Sequence, residues 1–352
     1  MFLKKKEHLV GLDIGSKTIK AGEIIETKNG LQLKRFGTID IPPGIIEDGT
    51  VQNSAELSNY LKELFNLFNI SQSNIALSIG GNAGIVKKIS LKTMTESELQ
   101  KVINIEAEHY IPYDISEVNL DFQILGPVEN NPNNMNVILA AAKKDVIQGY
   151  LDALDDADLD PRIVDIDAFA IQNVFEANYG NQDEYVALID LGSTKLSLNI
   201  IKDGVSVFMR DVSMGGFQIN HEIMNAANCS ESDAEDIKTG QKTSDKIDAE
   251  YVDQIIYNTV SDWCAEIGRA LDFFYASYSG DKIKKIYVCG GGANISSFRK
   301  LLSEQTSTEV NVLNPFGHLI INEDVFDSDY LRKMAPQAVI CMGLAMRRIN
   351  DK

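Results

Sequence analysis

Residues 9–18 read LVGLDIGSKT, and residues 186–195 read VALIDLGSTK. Both segments contain the pattern Asp-x-Gly-Ser, which places three pairs of residues in equivalent positions: Asp13 with Asp190, Gly15 with Gly192, and Ser16 with Ser193. Each pair is separated by the same 177 positions, about half of the chain. One copy of the motif in each half predicts a duplicated architecture.

Each copy is expected to form a strand–turn–strand hairpin. A short apolar run opens the copy and is typical of a buried strand. Beyond the glycine, side chains alternate with a period of two, as at Ile19 and Ala21 or Leu196 and Leu198, and this predicts a second strand. A Rossmann or Walker loop would lead into a helix and would carry GxGxxG or GxxxxGK, and neither spacing is present.

The hairpin turns suit phosphate binding. A glycine in the turn lets the backbone approach an anion closely, and successive backbone N–H groups form a nest for its oxygens. A single Asp-x-Gly-Ser is often an ordinary β-turn, but two equally spaced copies favour a phosphate clamp. The predicted nucleotide-binding residues of the two hairpins are Gly15, Ser16, Lys17, Thr18, Lys20, Gly192, Ser193 and Thr194.

The two aspartates are predicted to hold a metal ion. A carboxylate repels phosphate, so Asp13 and Asp190 are better suited to a divalent cation or to its water shell. Lys20 follows Asp13 by seven residues and is expected to neutralise β- and γ-phosphate charge. The sequence therefore predicts ATP with Mg²⁺, held between two related halves.

Three further motifs complete the predicted site. Gly290, Gly291, Gly292 and Asn294 follow the apolar strand 285–289 and precede a helix, where glycines let the backbone lie against a nucleoside. A flexible strand–helix turn is the alternative interpretation. Gly215 and Gly216 follow the second hairpin. Glu235 and Lys238 share one helix face and could contact ribose and adenine, or form only a surface ion pair.

Asp167 is the candidate catalytic residue. It precedes a predicted helix at 168–177 and could orient a water molecule or act as a base toward a substrate hydroxyl. It could equally cap that helix. No stronger base is evident, so slow ATP hydrolysis is the most enzymatic activity that we expect.

Composition excludes several classes of function. The net charge of −18 disfavours binding to nucleic acid and to an anionic membrane surface. The four cysteines are dispersed, which predicts free thiols in a reducing compartment. The basic N-terminus lacks the apolar stretch of a signal peptide, and no run of about 20 apolar residues spans a bilayer. The chain is therefore expected to be cytoplasmic.

Together these motifs resemble the actin, sugar kinase and DnaK-type chaperone superfamily. The hairpins resemble its two phosphate motifs, residues 286–295 (IYVCGGGANI) resemble its adenosine motif, and 336–348 resembles its second connecting helix. The resemblance implies an α/β, actin-like fold built on a duplicated ribonuclease H-like unit.

The insert in the first half resembles one branch of this superfamily. Residues 106–113 (EAEHYIPY) and 117–122 (EVNLDF) closely resemble the PilM family of type IV pilus assembly, and more widely FtsA. These families carry a subdomain 1C in place of the 1B of actin. The segment carries no catalytic residue, so its aromatic residues Tyr110 and Tyr113 serve either local packing or partner contact.

The resemblance implies interleaved subdomains rather than domains on a tether. We expect 1A at 1–83 and 161–185, with its closing helix at 331–352, and 1C at 84–160. We expect 2A at 186–220 and 285–330, and 2B at 221–284. Within 1C, the turn-rich segment 129–135 (ENNPNNM) is expected to be the loop of a surface hairpin.

The implied function is that of an ATP-binding cytoplasmic scaffold of the pilus inner-membrane platform. Its implied partners are the cytoplasmic N-terminal tail of PilN and the PilN/PilO platform, with motor ATPases and further copies of the chain as candidates. An FtsA-like division filament and a small-molecule kinase are the alternatives. The sequence stops at Asp351-Lys352 without the membrane-targeting helix of FtsA, so recruitment to the membrane through a partner is expected.

Overall fold

The structure is a computed structural model that describes residues 8–278 and 282–349. The extreme N-terminal residues and Asp351-Lys352, on which the predictions about a signal peptide and a targeting helix depend, lie outside this range. The chain divides into two compact units. Unit 1 consists of three segments: the chain up to Ile24, Lys34–Ala170, and the chain from Leu344 onward. Unit 2 consists of Ile25–Leu33 and Ile171–Gly343.

The described part of the first half forms ten strands and three helices, followed by a helix at the boundary of the units. In chain order they are β1 Val10–Ile14, β2 Thr18–Thr27, β3 Gly30–Asp40, β4 Ile46–Glu47, β5 Thr50–Val51, α1 Ser54–Leu67, β6 Asn74–Ile79, β7 Gly84–Lys92, α2 Glu96–Ala107, β8 Val118–Val128, β9 Asn131–Lys143, α3 Lys144–Asp156, β10 Asp160–Ile166 and α4 Asp167–Tyr179. Short 3-10 helices lie at Gly81–Ala83 and Ile115–Glu117.

The described part of the second half supplies five strands and six helices. They are β11 Val186–Leu191, β12 Leu196–Lys202, β13 Val205–Val212, α5 Phe217–Ala227, α6 Glu231–Lys238, α7 Ala249–Ser277, β14 Lys285–Cys289, α8 Ser296–Thr306, β15 Glu309–Val312, α9 Ser328–Met334 and α10 Val339–Ala345. Two 3-10 helices occupy Gly291–Asn294 and Ala335–Ala338.

The main sheets of the two units have the same topology, which confirms the predicted duplication. The first has the order β10-β6-β1-β2-β3, and the second has the order β15-β14-β11-β12-β13. In each sheet, the first strand of the hairpin (β1 or β11) pairs antiparallel with the next strand in the chain (β2 or β12). On its other side, the same strand pairs parallel with a strand that follows a helix (β6 or β14). The outermost strands β10 and β15 continue the parallel pairing.

Each main sheet has its own apolar core. In unit 1, Val10, Leu12, Ile75 and Leu77 of the central strands pack with α1 and α3. In unit 2, the strands β11, β12 and β14 pack with the helices around Trp263. These cores fix the carboxyl ends of the central strands, where the candidate residues lie.

The insert between β6 and β10 builds a separate small layer. Strands β7, β9 and β8 form an antiparallel sheet in that order. Helix α2 covers one face through Leu99 and Ile103. Thr95 and Glu98 form a capping box at the start of α2. The side chains of α3 belong instead to the core of the main sheet, and the limits of subdomain 1C remain a prediction.

Two smaller findings concern the cysteines and the helices. All four cysteines lie within the described residues, and none of them forms a disulfide bond, as predicted. Among the residues that the structure describes, no helix combines the length and the apolar character needed to cross a membrane.

Candidate nucleotide-binding site

The first hairpin is closed by a three-residue turn. Strands β1 and β2 pair antiparallel with Ile14 opposite Ile19, and Gly15 N donates to Thr18 O over 3.1 Å. A Cβ on Gly15 would lie 3.0 Å from Thr18 O, closer than nearly all real contacts, which explains the glycine. Lys17 O accepts a hydrogen bond from Ile41 N (2.9 Å), which ties the turn to the chain beyond β3.

Asp13 and Lys20 face each other across this hairpin. They occupy one register pair, and Lys20 Nζ lies 3.0 Å from Asp13 Oδ2. Both side chains are largely buried, with exposed fractions of 12% for Lys20 and 14% for Asp13. The same ammonium lies 3.7 Å from the position of a Cβ on Gly15. A positive charge is therefore held beside the turn that is predicted to bind phosphate.

The second hairpin closes with the same backbone hydrogen bond as the first. Leu191 stands opposite Leu196, and Gly192 N donates to Lys195 O over 2.9 Å. Asp190 is opposite Ser197, so a serine takes the position that Lys20 has in the first hairpin. The two hairpins are thus alike in backbone and different in charge.

The surroundings of Asp190 are buried. Ser197 is buried with it, and the Ser197 hydroxyl has no hydrogen-bond partner among the described residues. The thiol of Cys289, at the end of the parallel strand β14, lies 3.8 Å from Asp190 Oδ1. The strands on both sides of Asp190 therefore present neutral side chains to it, whereas the neighbour of Asp13 on β2 is a cation.

Gly215 and Gly216 pack directly on the turn of the second hairpin. A Cβ on Gly215 would lie 2.4 Å from Ser193 O, so no larger residue fits there. Gly216 N donates to Gly192 O (3.0 Å) and Phe217 N donates to Ser193 O (2.8 Å). The start of α5 thus holds the carbonyl side of this turn. Thr194, at the tip of the turn, is exposed.

The glycine triplet has a structural reason that the sequence did not reveal. Gly290 has a φ of +81°, and a Cβ there would lie 2.5 Å from Asp190 Oδ1. A Cβ on Gly292 would lie 2.3 Å from Leu191 Cδ2. Gly291 has its nearest neighbour, Gln337 Oε1, at 3.9 Å. The residues at the end of β11 therefore leave no room for a Cβ at Gly290 or Gly292. At Gly291, by contrast, a Cβ would have open space around it.

Glu235 and Lys238 form the predicted i,i+3 pair, with Lys238 Nζ 2.8 Å from Glu235 Oε2. Asn220 Nδ2 donates to the same carboxylate oxygen over 2.9 Å. Asn220 is buried one turn into α5, so this pair is joined to the helix that begins at the second hairpin. Sequence reasoning missed Asn220 because tertiary packing brings α5 and α6 together. Asn294 is exposed and donates to Lys333 O over 3.4 Å.

Asp167 lies at the first residue of α4 and accepts a hydrogen bond from Ser78 Oγ over 2.6 Å. Ser78 stands near the end of β6, which runs parallel to β1 and β10. Since the carboxyl ends of parallel strands share one edge of a sheet, Asp13, Ser78 and Asp167 lie at the same edge, where α/β proteins bind ligands. Ser78 is the second residue of this site that sequence reasoning missed.

A buried ion pair supports this edge. Arg347 contacts the Asp165 carboxylate, which lies two residues before Asp167. Burial raises the pKa of Asp165, and the Arg347 guanidinium opposes that shift only in part. The pair ties the end of the chain to β10.

The residues present fit a nucleotide with magnesium. Magnesium is commonly held by one or two carboxylates together with water and substrate phosphates, rather than by a full protein cage. Asp13 and Asp190 are carboxylates of this kind. Each lies beside a turn that begins with a glycine, where a Cβ would lie against a backbone oxygen. Within residues 8–278 and 282–349, no group of three or more His, Cys, Asp or Glu side chains could hold a metal ion.

Comparison with known proteins places these features in context. The sequence model of the family described as "Type IV pilus assembly protein PilM" matches residues 11–349. A solved structure described as "PilM-PilN type IV pilus biogenesis complex" is 25% identical, with a TM-score of 0.88 over 98% of this chain and 100% of that chain.

Two more distant structures share the fold. Ethanolamine utilization protein EutJ from Carboxydothermus hydrogenoformans is 14% identical, with a TM-score of 0.58 over 97% of this chain and 89% of that chain. MreB 5 of Spiroplasma citri bound to AMPPNP is 13% identical, with a TM-score of 0.51 over 95% of this chain and 94% of that chain. The predicted actin-like α/β fold is thereby confirmed.

Proposed function

Because this chain belongs to the PilM family of type IV pilus assembly proteins, we propose that it is an ATP-binding scaffold that holds the N-terminal tail of PilN. The family predicted from the sequence is thereby confirmed. A role in pilus assembly is favoured over the FtsA-like filament and the metabolite kinase.

One observation supports PilN as the binding partner. The similar structure of 25% identity is a PilM–PilN complex, and it matches this chain over essentially its full length. A partner site built on that shared fold would use the insert, which has a core of its own and carries none of the predicted nucleotide residues. An extended tail can gain main-chain hydrogen bonds and fill pockets with alternate side chains.

The repeated hairpins support ATP as the ligand. Gly15 and Gly192 close equivalent turns, and Asp13 and Asp190 precede them at equivalent positions. We propose that each turn binds nucleotide phosphate, that Asp13 and Asp190 are ligands of Mg²⁺, and that Gly291 approaches the nucleoside of ATP. When bound, Mg²⁺ would neutralise phosphate charge that the acidic chain would otherwise repel.

In this proposal ATP acts by shifting a conformational population. A ligand can change partner affinity only if it binds two conformations of the protein with different affinities. Nucleotide and PilN would then influence each other's affinity equally, as thermodynamic linkage requires. Binding to PilN would also recruit the chain to the inner membrane.

The test is a direct binding measurement. A fluorescently labelled peptide with the N-terminal sequence of PilN is titrated with the full chain, and anisotropy is recorded with and without ATP and Mg²⁺. Because a flexible tail must be ordered, we expect a dissociation constant on the order of micromolar. A scrambled peptide is the control. Equal binding of both peptides, or no binding at about 100 μM, would contradict the proposal.

A further inference from the structure

The small sheet of the insert has two edges, β7 and β8, because the strand order is β7-β9-β8. A strand at the edge of a sheet presents unpaired backbone N–H and C=O groups and can pair with another chain. In the described part of the chain, β8 pairs only with β9. With 11 residues, β8 is long for an edge strand.

The two edges differ in their protection. Strand β7 carries three exposed lysines, Lys87, Lys88 and Lys92, and lysine is a common device against edge pairing. Strand β8 has no lysine or arginine, and its register irregularities begin only after Ile124. The segment 118–124 of β8 is therefore a regular edge whose only charge is Asp121. Phe122 N donates to Asp121 Oδ1 over 2.8 Å, so a strand that pairs through Phe122 N displaces this carboxylate.

This segment also has an incompletely covered apolar side. Leu120, Phe122 and Ile124 point to the face that α2 covers, yet each is only partly buried against the core of the insert. Asn119, Asp121 and Gln123 alternate with them and are exposed. A strand added beside β8 would extend the sheet and cover the apolar side chains further.

We propose that β8 pairs antiparallel with β8 of a second copy of this chain, with Phe122 at the two-fold axis. In this register Phe122 faces its own copy, Leu120 faces Ile124, and Asp121 faces Gln123. Apolar side chains thus meet apolar ones, and no two like charges stand opposite each other. A register centred on Asp121 would instead place two carboxylates face to face. The segment is self-complementary, as a symmetric dimer requires.

Charge sets the conditions for association. Each copy has a net charge of −18, so two copies repel each other at low ionic strength. The pairing is short, and we expect a dissociation constant of roughly 10–100 μM. Salt screens the repulsion, so dimerisation is expected to strengthen as salt is raised.

The experiment is sedimentation velocity of the full chain at several concentrations up to about 500 μM, in about 0.5 M salt as well as at low salt. Gln123→Lys places a lysine opposite Asp121 twice in the dimer, and Gln123→Asp places an aspartate there twice. Since one cross-strand ion pair contributes modestly, two are expected to tighten the Gln123→Lys dimer by roughly 2- to 30-fold. Gln123→Asp is expected to weaken it to a similar extent.

Ser90→Lys and Ser90→Asp are the matched controls. Ser90 is exposed on β7, so these variants change the net charge by the same amounts without touching the proposed pair. Opposite shifts for the Gln123 variants and little change for the Ser90 variants support the proposal. Shifts of equal size at both positions would overturn it, as would a wild-type chain and a Gln123→Lys chain that remain monomeric throughout. The test involves neither nucleotide nor PilN, so its failure would leave the proposed function standing.

Discussion

At the scale of single residues, the two hairpins pose a question about charge. Asp13 is paired with Lys20, whereas Asp190 faces Ser197 and approaches the Cys289 thiol. Bringing ATP to an acidic chain needs positive charge near the phosphates, and Lys20 is held beside the first turn. Both aspartates are proposed to bind Mg²⁺, but the Asp13 carboxylate already forms an ion pair with Lys20.

The first prediction concerns these carboxylates. Asp13→Asn and Asp190→Asn are each expected to weaken binding of Mg-ATP by at least about tenfold, because cation-mediated stabilisation contributes several kcal/mol. Binding of ATP in the presence of a chelator is expected to change much less. Calorimetry with and without Mg²⁺ measures both, and Asp253→Asn, an exposed site on α7, is the control. Unchanged Mg-ATP affinity in both variants would exclude the proposed metal ligands.

A second prediction separates two glycines of unit 2. Gly215→Ala places a Cβ 2.4 Å from Ser193 O, and such overpacking is expected to lower the free energy of unfolding by about 1–3 kcal/mol. Gly268 lies inside α7 with open space at its Cβ position. Gly268→Ala is expected to raise that free energy by about 0.5–1 kcal/mol. Urea unfolding checks both, and a stabilised Gly215→Ala would show that the turn is placed differently.

A third prediction concerns acid stability. Burial lowers the pKa of His318, and neither ring nitrogen has a hydrogen-bond partner among the described residues. The folded chain therefore protonates this imidazole only at a lower pH than the unfolded chain, in which its pKa has the ordinary value of 6.5. The free energy of unfolding is therefore expected to decrease as the pH falls below 6.5, by at most about 1.4 kcal/mol per pH unit.

His318→Gln is expected to remove this part of the pH dependence. Urea unfolding at about pH 7 and about pH 5 gives the comparison, with His221→Gln on the exposed side of α5 as the control. An unfolding free energy whose pH dependence is the same in wild type and His318→Gln would contradict the prediction.

At the scale of elements, sequence reasoning succeeded where local chemistry decides the structure. The hairpins follow from glycine turns between alternating strands. The segment 129–135 was expected to be a loop, but the β8–β9 turn contains only Glu129 and Asn130. Asn130 adopts a φ of +61°, and the polar residues after it continue as strand because the end of the hairpin is largely exposed.

The candidate site divides in the same way. The residue types near the turns could be predicted, because phosphate and magnesium demand glycine, hydroxyl and carboxylate groups. The contacts of Ser78 with Asp167, of Asn220 with Glu235 and of Arg347 with Asp165 join residues distant in sequence. Only tertiary packing brings these residues together, so no local sequence pattern could predict the three contacts.

A fourth prediction uses the aromatic residues of the insert. Ile111 is buried in the core beneath α2, and Lys143 Nζ lies 4.4 Å from the centre of the Tyr113 ring, so both residues make contacts within the fold. Tyr110 is more exposed, at 38%. Tyr110→Ser is expected to weaken PilN-peptide binding several-fold with little loss of stability, since a buried aromatic contact contributes about 1 kcal/mol or more.

Peptide anisotropy and urea unfolding measure the two effects. Tyr251→Ser, an exposed tyrosine on α7 in unit 2, is the matched control. Equal peptide affinity in wild type and Tyr110→Ser would place the PilN contact away from this residue.

At the scale of the whole molecule, the two units have separate cores that can be followed separately. Trp263 is the only tryptophan of the chain and is fully buried in the core of unit 2. Its fluorescence therefore reports the unfolding of unit 2, whereas far-ultraviolet circular dichroism reports helices and strands of both units. Comparing the two signals shows whether unfolding is a single transition.

The last prediction follows from where the two ligands are proposed to bind. The PilN tail is proposed to bind the insert, which belongs to unit 1, so at saturating peptide the dichroism midpoint is expected to rise by mass action. The turn of unit 1 and the turn of unit 2 are each proposed to bind nucleotide phosphate, so MgATP is expected to raise the dichroism and the fluorescence midpoints together. A tryptophan-free PilN peptide keeps the fluorescence specific to Trp263. Where the two units unfold in separate transitions, a peptide that raises the fluorescence midpoint would place its site on unit 2, and MgATP that leaves the fluorescence midpoint unchanged would confine the nucleotide to unit 1.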